Sequence, residues 1–200
     1  MHKPAETRFD ILPLIRDRWS PVCFSPRRIE PDVLGSLFEA ARWAPSSYNE
    51  QPWAFCVATQ DQPQEFAAIL GCLMDANQSW AKHAYALIIT VTKLALDRNA
   101  KPNRHCYDDT GSATQNLMLQ AMSHGIFCHP MGGFDGEKAR SALSIPATHE
   151  PLTAIAVGYP AEDASSMDAG LQQRDQAARS RKPLSEIVFT GTFGRADRRF

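Results

Sequence analysis

The chain has no apolar stretch near the ~18 residues that a membrane-spanning helix needs. It has no CxxC pair, and its five cysteines (Cys23, Cys56, Cys72, Cys106, Cys128) are odd in number. That argues against a disulfide framework and against thiolate zinc ligation. His124 and Cys128 stand four apart, but Gly125 between them ends a helix, so no metal is expected there. Charge of one sign is also missing: the net is −1, which gives no pull toward nucleic acid or an anionic membrane. No apolar signal run opens the chain, and with its free thiols this makes a reducing cytoplasm the expected location. There is no GxSxG elbow, no P-loop, no GxGxxG after a strand, and no spaced pairing of His with a carboxylate.

What is present is an ordinary globular composition, 44% hydrophobic and 22% charged over 200 residues. A chain of this size buries roughly 70% of its unfolded surface, enough for one domain over 1–200. Ile11 to Ile15 read as a first helix that breaks at Trp19-Ser20-Pro21. Pro31 and Asp32 then start a helix to about Trp43, with Val33, Leu34, Leu37, Phe38 and Ala41 on one face. Ala54–Thr59, Ala86–Thr92 and Leu152–Val157 read as strands, the second apolar throughout and so central. Gln62–Asp75 and Asn77–Lys82 read as helical. A long helix capped at Asp108-Asp109-Thr110 runs to His124, apolar on more than one side, as a central or interface helix would be. Phe127–Gly133 reads as irregular, and Asp135 caps a further helix through about Leu143. Residues 161–183 are polar and too long for a casual connection, so they are either disordered or a wrapping arm, with Ile187-Val188-Phe189 a possible last strand. The sum is an α/β or α+β layered domain.

Four polar or glycine-containing turns could carry chemistry. Arg18-Trp19-Ser20 offers a planar guanidinium and a hydroxyl that suit a phosphate, though a surface turn explains it alone. "RWAPSSYNEQPW" (Arg42–Trp53) has more polar groups than a helix stop requires. Pro130-Met131-Gly132-Gly133-Phe134 lets backbone N–H groups approach a ligand, or is a plain turn. Arg179-Ser180-Arg181 puts two cations on one side of an extended segment, or belongs with Arg174, Lys182, Arg195, Arg198 and Arg199 to a solvated basic tail. One ligand with a phosphate and a polar planar ring would use all four turns.

The ordered blocks "RWSPVCF", "APSSYNEQPW", "NQSWAKHAYALII", "YDDTGSATQNLMLQA", "HPMGGFD", "AIAVGYP" and "RSRKPLSEIV" resemble the FMN-dependent nitroreductase family over about residues 11–190. The resemblance implies an α+β nitroreductase-like fold with a central mixed sheet flanked by helices. It implies an obligate homodimer, with a C-terminal arm at about 161–200 crossing to the partner subunit and two FMN sites between subunits. NAD(P)H would reduce FMN, and a nitroaromatic, quinone or similar small-molecule acceptor would then take the electrons in a ping-pong cycle. Position by position, the resemblance puts Arg18, Trp19, Ser20, Arg179 and Arg181 at the phosphate end. Ser46, Ser47 and Asn49 reach the flavin from the other subunit. Asn77 faces the pyrimidine edge, and Pro130, Met131, Gly132 and Gly133 line the ring, with a Gly132 or Gly133 N–H at flavin N5. FMN carries the reaction, so no catalytic side chain and no metal are implied. Val22, Trp19 and Trp80 depart from the basic or imidazole side chains that relatives carry, which bears on flavin potential and acceptor preference. Two alternatives stand beside this reading. One is dehalogenation or flavin destruction on the same fold, which an added substrate lid would mark. The other is a non-catalytic flavin-binding protein, which would oxidise no NAD(P)H.

Overall fold

The structure is a computed structural model that describes residues 3–163, 165, 167–197 and 199. Among these, four strands form one sheet: β1 (Trp53–Thr59), β2 (Ala86–Lys93), β3 (Phe127–Met131) and β4 (His149–Gly158), in the order β1-β2-β4-β3. Each pairing is antiparallel. The expected mixed sheet is thus corrected: every neighbour within this chain runs the opposite way. β2 is central as its apolar run required, because helices cover both of its faces. Ala86 and Ile88 point to one core, Leu87, Ile89 and Val91 to the other, following the two-residue period of a strand.

On the first face lie α2 (Pro31–Arg42) and α5 (Cys106–Ser123), which bury Leu37, Ala41, Ala113, Leu117 and Ala121 against Ala86, Ile88, Ile155 and Val157. Thr110 Oγ1 donates to Thr92 Oγ1 at 2.9 Å, and Thr92 Oγ1 donates to the Cys106 carbonyl at 3.1 Å, so α5 is bolted to β2 by its first turns. On the other face lie α3 (Pro63–Gly71) and α4 (Asp75–Ala81), with Phe66, Ile69 and Trp80 over Leu87, Ile89 and Ala156.

Several local expectations change. α5 starts at Cys106, so Asp109 sits inside the first turns rather than at a cap. Gly125 does close it, at φ 69°. The helix expected over 62–75 ends at Gly71, where Leu73 bridges to Phe134. Phe127–Met131 is a strand rather than irregular; Pro130 is tolerated because β3 is an edge, where a missing N–H costs no ladder bond. Within the polar 161–183 segment lies α7 (Ala169–Gln176), opened by Asp168, whose carboxylate accepts from the Gly170 N–H at 2.8 Å. Residues 187–189 form no strand beyond an isolated Phe189–Ala196 bridge. α6 (Gly136–Ala142, capped by Asp135) agrees with expectation, whereas α1 (Pro13–Asp17) starts two residues later than expected, at Pro13, and leaves Ile11 and Leu12 outside it.

Candidate functional site

The chain leaves α1 at Arg18 with extended backbone (φ −65°, ψ 125°). Arg18 Nη1 then reaches Ser20 Oγ at 3.2 Å. Burial, then the nearby charges of Arg179 and Arg181, lower the Arg18 guanidinium from its ordinary range. Arg179 is lowered too, by burial and then by Arg181. Guanidinium groups stay protonated at neutral pH, so this is a cluster of three like charges. Among the described residues, no carboxylate hydrogen-bonds to any of the three. Asp17 favours Arg179 at a distance but is bonded to Arg16 at 2.8 Å. Like charges held together in part-buried surroundings are unfavourable until an anion joins them. The structure therefore brings Arg179 and Arg181, from the far end of the chain, within electrostatic reach of Arg18 and its partner Ser20.

Arg179 has a second task. Its Nη1 donates to the Lys3 and Arg16 carbonyls, both at 2.7 Å, so it ties the C-terminal segment to the N-terminal one. Arg181 is exposed and, among the described residues, donates only to the adjacent Ser180 carbonyl. Trp19 is core: 4% exposed, edge-on to Phe127 with centroids 5.8 Å apart, and with the Lys3 ammonium 4.7 Å from its ring. Its buried Nε1 has no hydrogen-bond partner among the described residues.

Two residues of this region are absent from the sequence expectations. Asp175 on α7 is buried, and its carboxylate accepts the Val22 N–H at 2.8 Å and the Cys23 N–H at 3.1 Å. Burial and then the Asp175 charge push the Cys23 thiol up to about 11. His129 on β3 donates through Nδ1 to the Pro21 carbonyl at 2.7 Å and packs 4.5 Å from the Trp80 ring. Burial lowers its pKa below the ordinary 6.5. The available signal for Asp175 was slight: one acid in a polar segment whose helix carries no apolar face. Val22 and Trp80, the other two non-basic departures beside Trp19, are both fully enclosed, at 2% and 0% exposed.

Farther along the β3 edge, Asn77 Nδ2 donates to the Gly133 carbonyl at 2.9 Å. A Cβ on Gly133 would lie 2.6 Å from that nitrogen, so an added methyl would have to push the Asn77 amide aside. Gly132 is exposed, with open space where its Cβ would be. No described residue accepts the Gly132 or Gly133 N–H. Pro130 is half-buried, while Met131 is part of the core. This edge thus offers backbone donors over a surface of Pro130 and Asn77.

Ser46, Ser47 and Asn49 lie on a short 3-10 turn (Ser47–Asn49) whose backbone is unusual. Tyr48, Asn49 and Gln51 all have positive φ, at 55°, 58° and 46°. Such a run is unfavourable for residues with a Cβ, and persists only where surroundings hold it. Asp109 Oδ2 accepts the Ser47 N–H at 3.1 Å, Ser46 Oγ accepts the Gln51 N–H at 3.0 Å, and Gln51 Nε2 donates to the Asn49 carbonyl at 3.1 Å.

The two groups of residues stand at opposite corners of the sheet. Ser46–Asn49 precede Trp53, which pairs with Thr92, whereas Trp19 packs on Phe127, which pairs with Gly158 beside the Ala86 end. Six residue steps and three strand spacings separate these corners, on the order of 25 Å. One copy therefore has residues 18–21 and the 130–133 loop along the same β3 edge of the sheet, while Ser46–Asn49 lie off the opposite, β1 edge.

A family model described as "Nitroreductase family" matches residues 15–159. The chain belongs to the nitroreductase family. The solved structure described as "the oxidoreductase containing FMN" is 30% identical, covers 95% of this chain and 96% of its own, and superposes with a TM-score of 0.89. An Archaeoglobus fulgidus protein named "Putative NADH dehydrogenase/NAD(P)H nitroreductase" is 26% identical over 168 residues, 80% of this chain and 91% of that one. The iodotyrosine deiodinase of Haliscomenobacter hydrossis is 25% identical over 180 residues, 78% and 80% of the two chains. The chain is thus an oxidoreductase of the nitroreductase type, and no described helix is long and apolar enough to cross a membrane.

Proposed function

We propose that this chain is an FMN-dependent oxidoreductase that moves electrons from NAD(P)H to a nitroaromatic, quinone or similar acceptor, as a cytoplasmic homodimer. The observation that carries the reading is the cluster of Arg18, Arg179 and Arg181 beside Ser20, to which no described carboxylate is bonded. A dianionic phosphate suits such a cluster, because planar guanidinium forks and a hydroxyl donate to several oxygens at once. Trp19 forms the packed floor next to Arg18. FMN, when bound, supplies a ring that accepts and returns two electrons. In this reading Asn77 and the 130–133 loop hold its polar edge and place a backbone N–H near N5. Ser46, Ser47 and Asn49 come from the partner, because one copy keeps them a sheet diagonal away. The apolar side chains of Ile11 (40% exposed), Leu12 (65%), Leu14 (37%) and Ile15 (42%) fit burial against that second copy, to which the segment beyond Arg181 would cross.

The protein's own work is positioning: it holds donor and acceptor in turn over one face of the ring and excludes water from it. The likeness to an NAD(P)H nitroreductase supports this donor and acceptor class, and the FMN-containing neighbour supports the cofactor. Anaerobic titration of the purified protein with NADH and NADPH tests the reading. Flavin absorbance should bleach and return when a nitroaromatic or quinone is added. Colourless protein that takes up no FMN would sink it.

A further inference from the structure

The two halves of the arginine cluster come from residues 18–20 and 179–181, more than 150 positions apart in sequence. Some contact has to fix one against the other. Asp175 is four residues before Arg179, and its carboxylate accepts from Val22 and Cys23, two and three residues after Ser20. The side chain is 5% exposed, and both of its oxygens are used on backbone N–H groups. The Asp175 carbonyl in turn accepts from the Lys3 ammonium, and Arg179 donates to the Lys3 and Arg16 carbonyls. Every one of these contacts joins the α7 segment to the N-terminal segment. Pro21, between Ser20 and Val22, is held from the other side by His129.

We propose that Asp175 is a positioning residue for phosphate binding: it docks α7 on the Val22–Cys23 backbone and so sets Arg179 and Arg181 opposite Arg18 and Ser20. This rests on the FMN reading above. The carboxylate itself takes no part in anion binding, since its charge is spent on two N–H donors and would repel a phosphate. Its action is indirect, through the arginines that follow it. Two charge-assisted bonds to adjacent N–H groups suit the task, because they fix the orientation of the docked segment as well as its distance.

The test compares FMN with riboflavin, which has the same ring and ribityl chain but no phosphate. Wild type, Asp175→Ala and Asp175→Asn are titrated with each flavin by fluorescence quenching, with melting temperatures alongside. For Asp175→Ala the FMN dissociation constant should rise about ten- to hundredfold while riboflavin binding stays within about twofold. Asp175→Asn should fall between, since its amide oxygen can accept one N–H but its NH2 faces the other. The double variant Asp175→Ala/Arg179→Ala should lose little beyond the worse single change, because both act on one contact. Equal weakening of both flavins would show a merely structural role and overturn the proposal. Unchanged FMN affinity in a folded Asp175→Ala protein would overturn it as well. Wild type that binds neither flavin would instead overturn the FMN reading on which it stands.

Discussion

Asp109, inside the first turns of α5, accepts the backbone N–H of Ser47 at 3.1 Å. Through it, the helix bolted to β2 holds a turn with three positive-φ residues. Asp109→Ala leaves the Ser47 N–H without its partner and lets the turn relax. The expected loss is about 1–3 kcal/mol of stability, read by urea unfolding. In the proposed dimer flavin affinity should also fall, since Ser46, Ser47 and Asn49 would be displaced in both sites. An unchanged unfolding midpoint would show that the turn is held elsewhere.

Arg179 and Arg181 differ in a way that mutation should separate. Arg179 donates to the Lys3 and Arg16 carbonyls as well as facing Arg18, whereas Arg181 is exposed and bonds only to its neighbour. Arg181→Ala is expected to weaken FMN binding about tenfold or more with no change in melting temperature. Arg179→Ala should lower both. The salt dependence of FMN affinity should become shallower in each variant, because one cation fewer meets the phosphate. Equal melting temperatures for the two variants would contradict the tie between Arg179 and the N-terminal segment.

The layered fold was legible in residues with strong periodicity: the face of α2, the apolar run of β2 and the glycine stop after α5. The arginines and the serine of the cationic cluster stood out by chemical type, but type alone fitted a surface turn and a basic tail equally, and only the family resemblance joined them. The strand at Phe127–Met131 was hidden by Pro130, which only an edge position excuses, and strand order is not a local property. α7 was hidden because it carries no apolar stripe and is held by Asp175, a long-range bond. The antiparallel sense of every pairing was equally out of reach of a local pattern. Trp19 read as part of a polar turn because its neighbours are polar, yet alternation along extended backbone puts it in the core.

Gly132 and Gly133 are adjacent but unequal. A Cβ at 133 would collide with Asn77 Nδ2 at 2.6 Å, whereas one at 132 meets nothing within 4 Å. Gly133→Ala should therefore displace the Asn77 amide, break its bond to the 133 carbonyl and cost about 1–3 kcal/mol. Gly132→Ala should leave the melting temperature within about a degree of wild type. Any flavin effect of Gly132→Ala would then report crowding at the ring rather than a changed fold. Comparable destabilisation by both changes would contradict the packing described for this loop.

His129 sets a pH dependence of stability with a definite sign. Burial, the strongest influence, and the charges of Arg174 and Arg18 lower its pKa; the Pro21 carbonyl and Asp175 act the other way without winning. The unfolded chain therefore takes up a proton near the ordinary pH 6.5, at which the folded chain still resists it. Below about pH 6.5 the unfolded state binds more protons, so stability falls as pH falls, and the loss levels off only beneath the depressed folded pKa. His83, lowered by burial and by Lys82, adds to the same slope. In His129→Gln the amide can still donate to Pro21 but does not titrate. Its unfolding free energy between about pH 5 and 7 should be flatter than wild type, with the residual slope due to His83 and the carboxylates. Urea unfolding across that range decides it: parallel curves for wild type and His129→Gln would mean that His129 is protonated as readily in the fold as outside it.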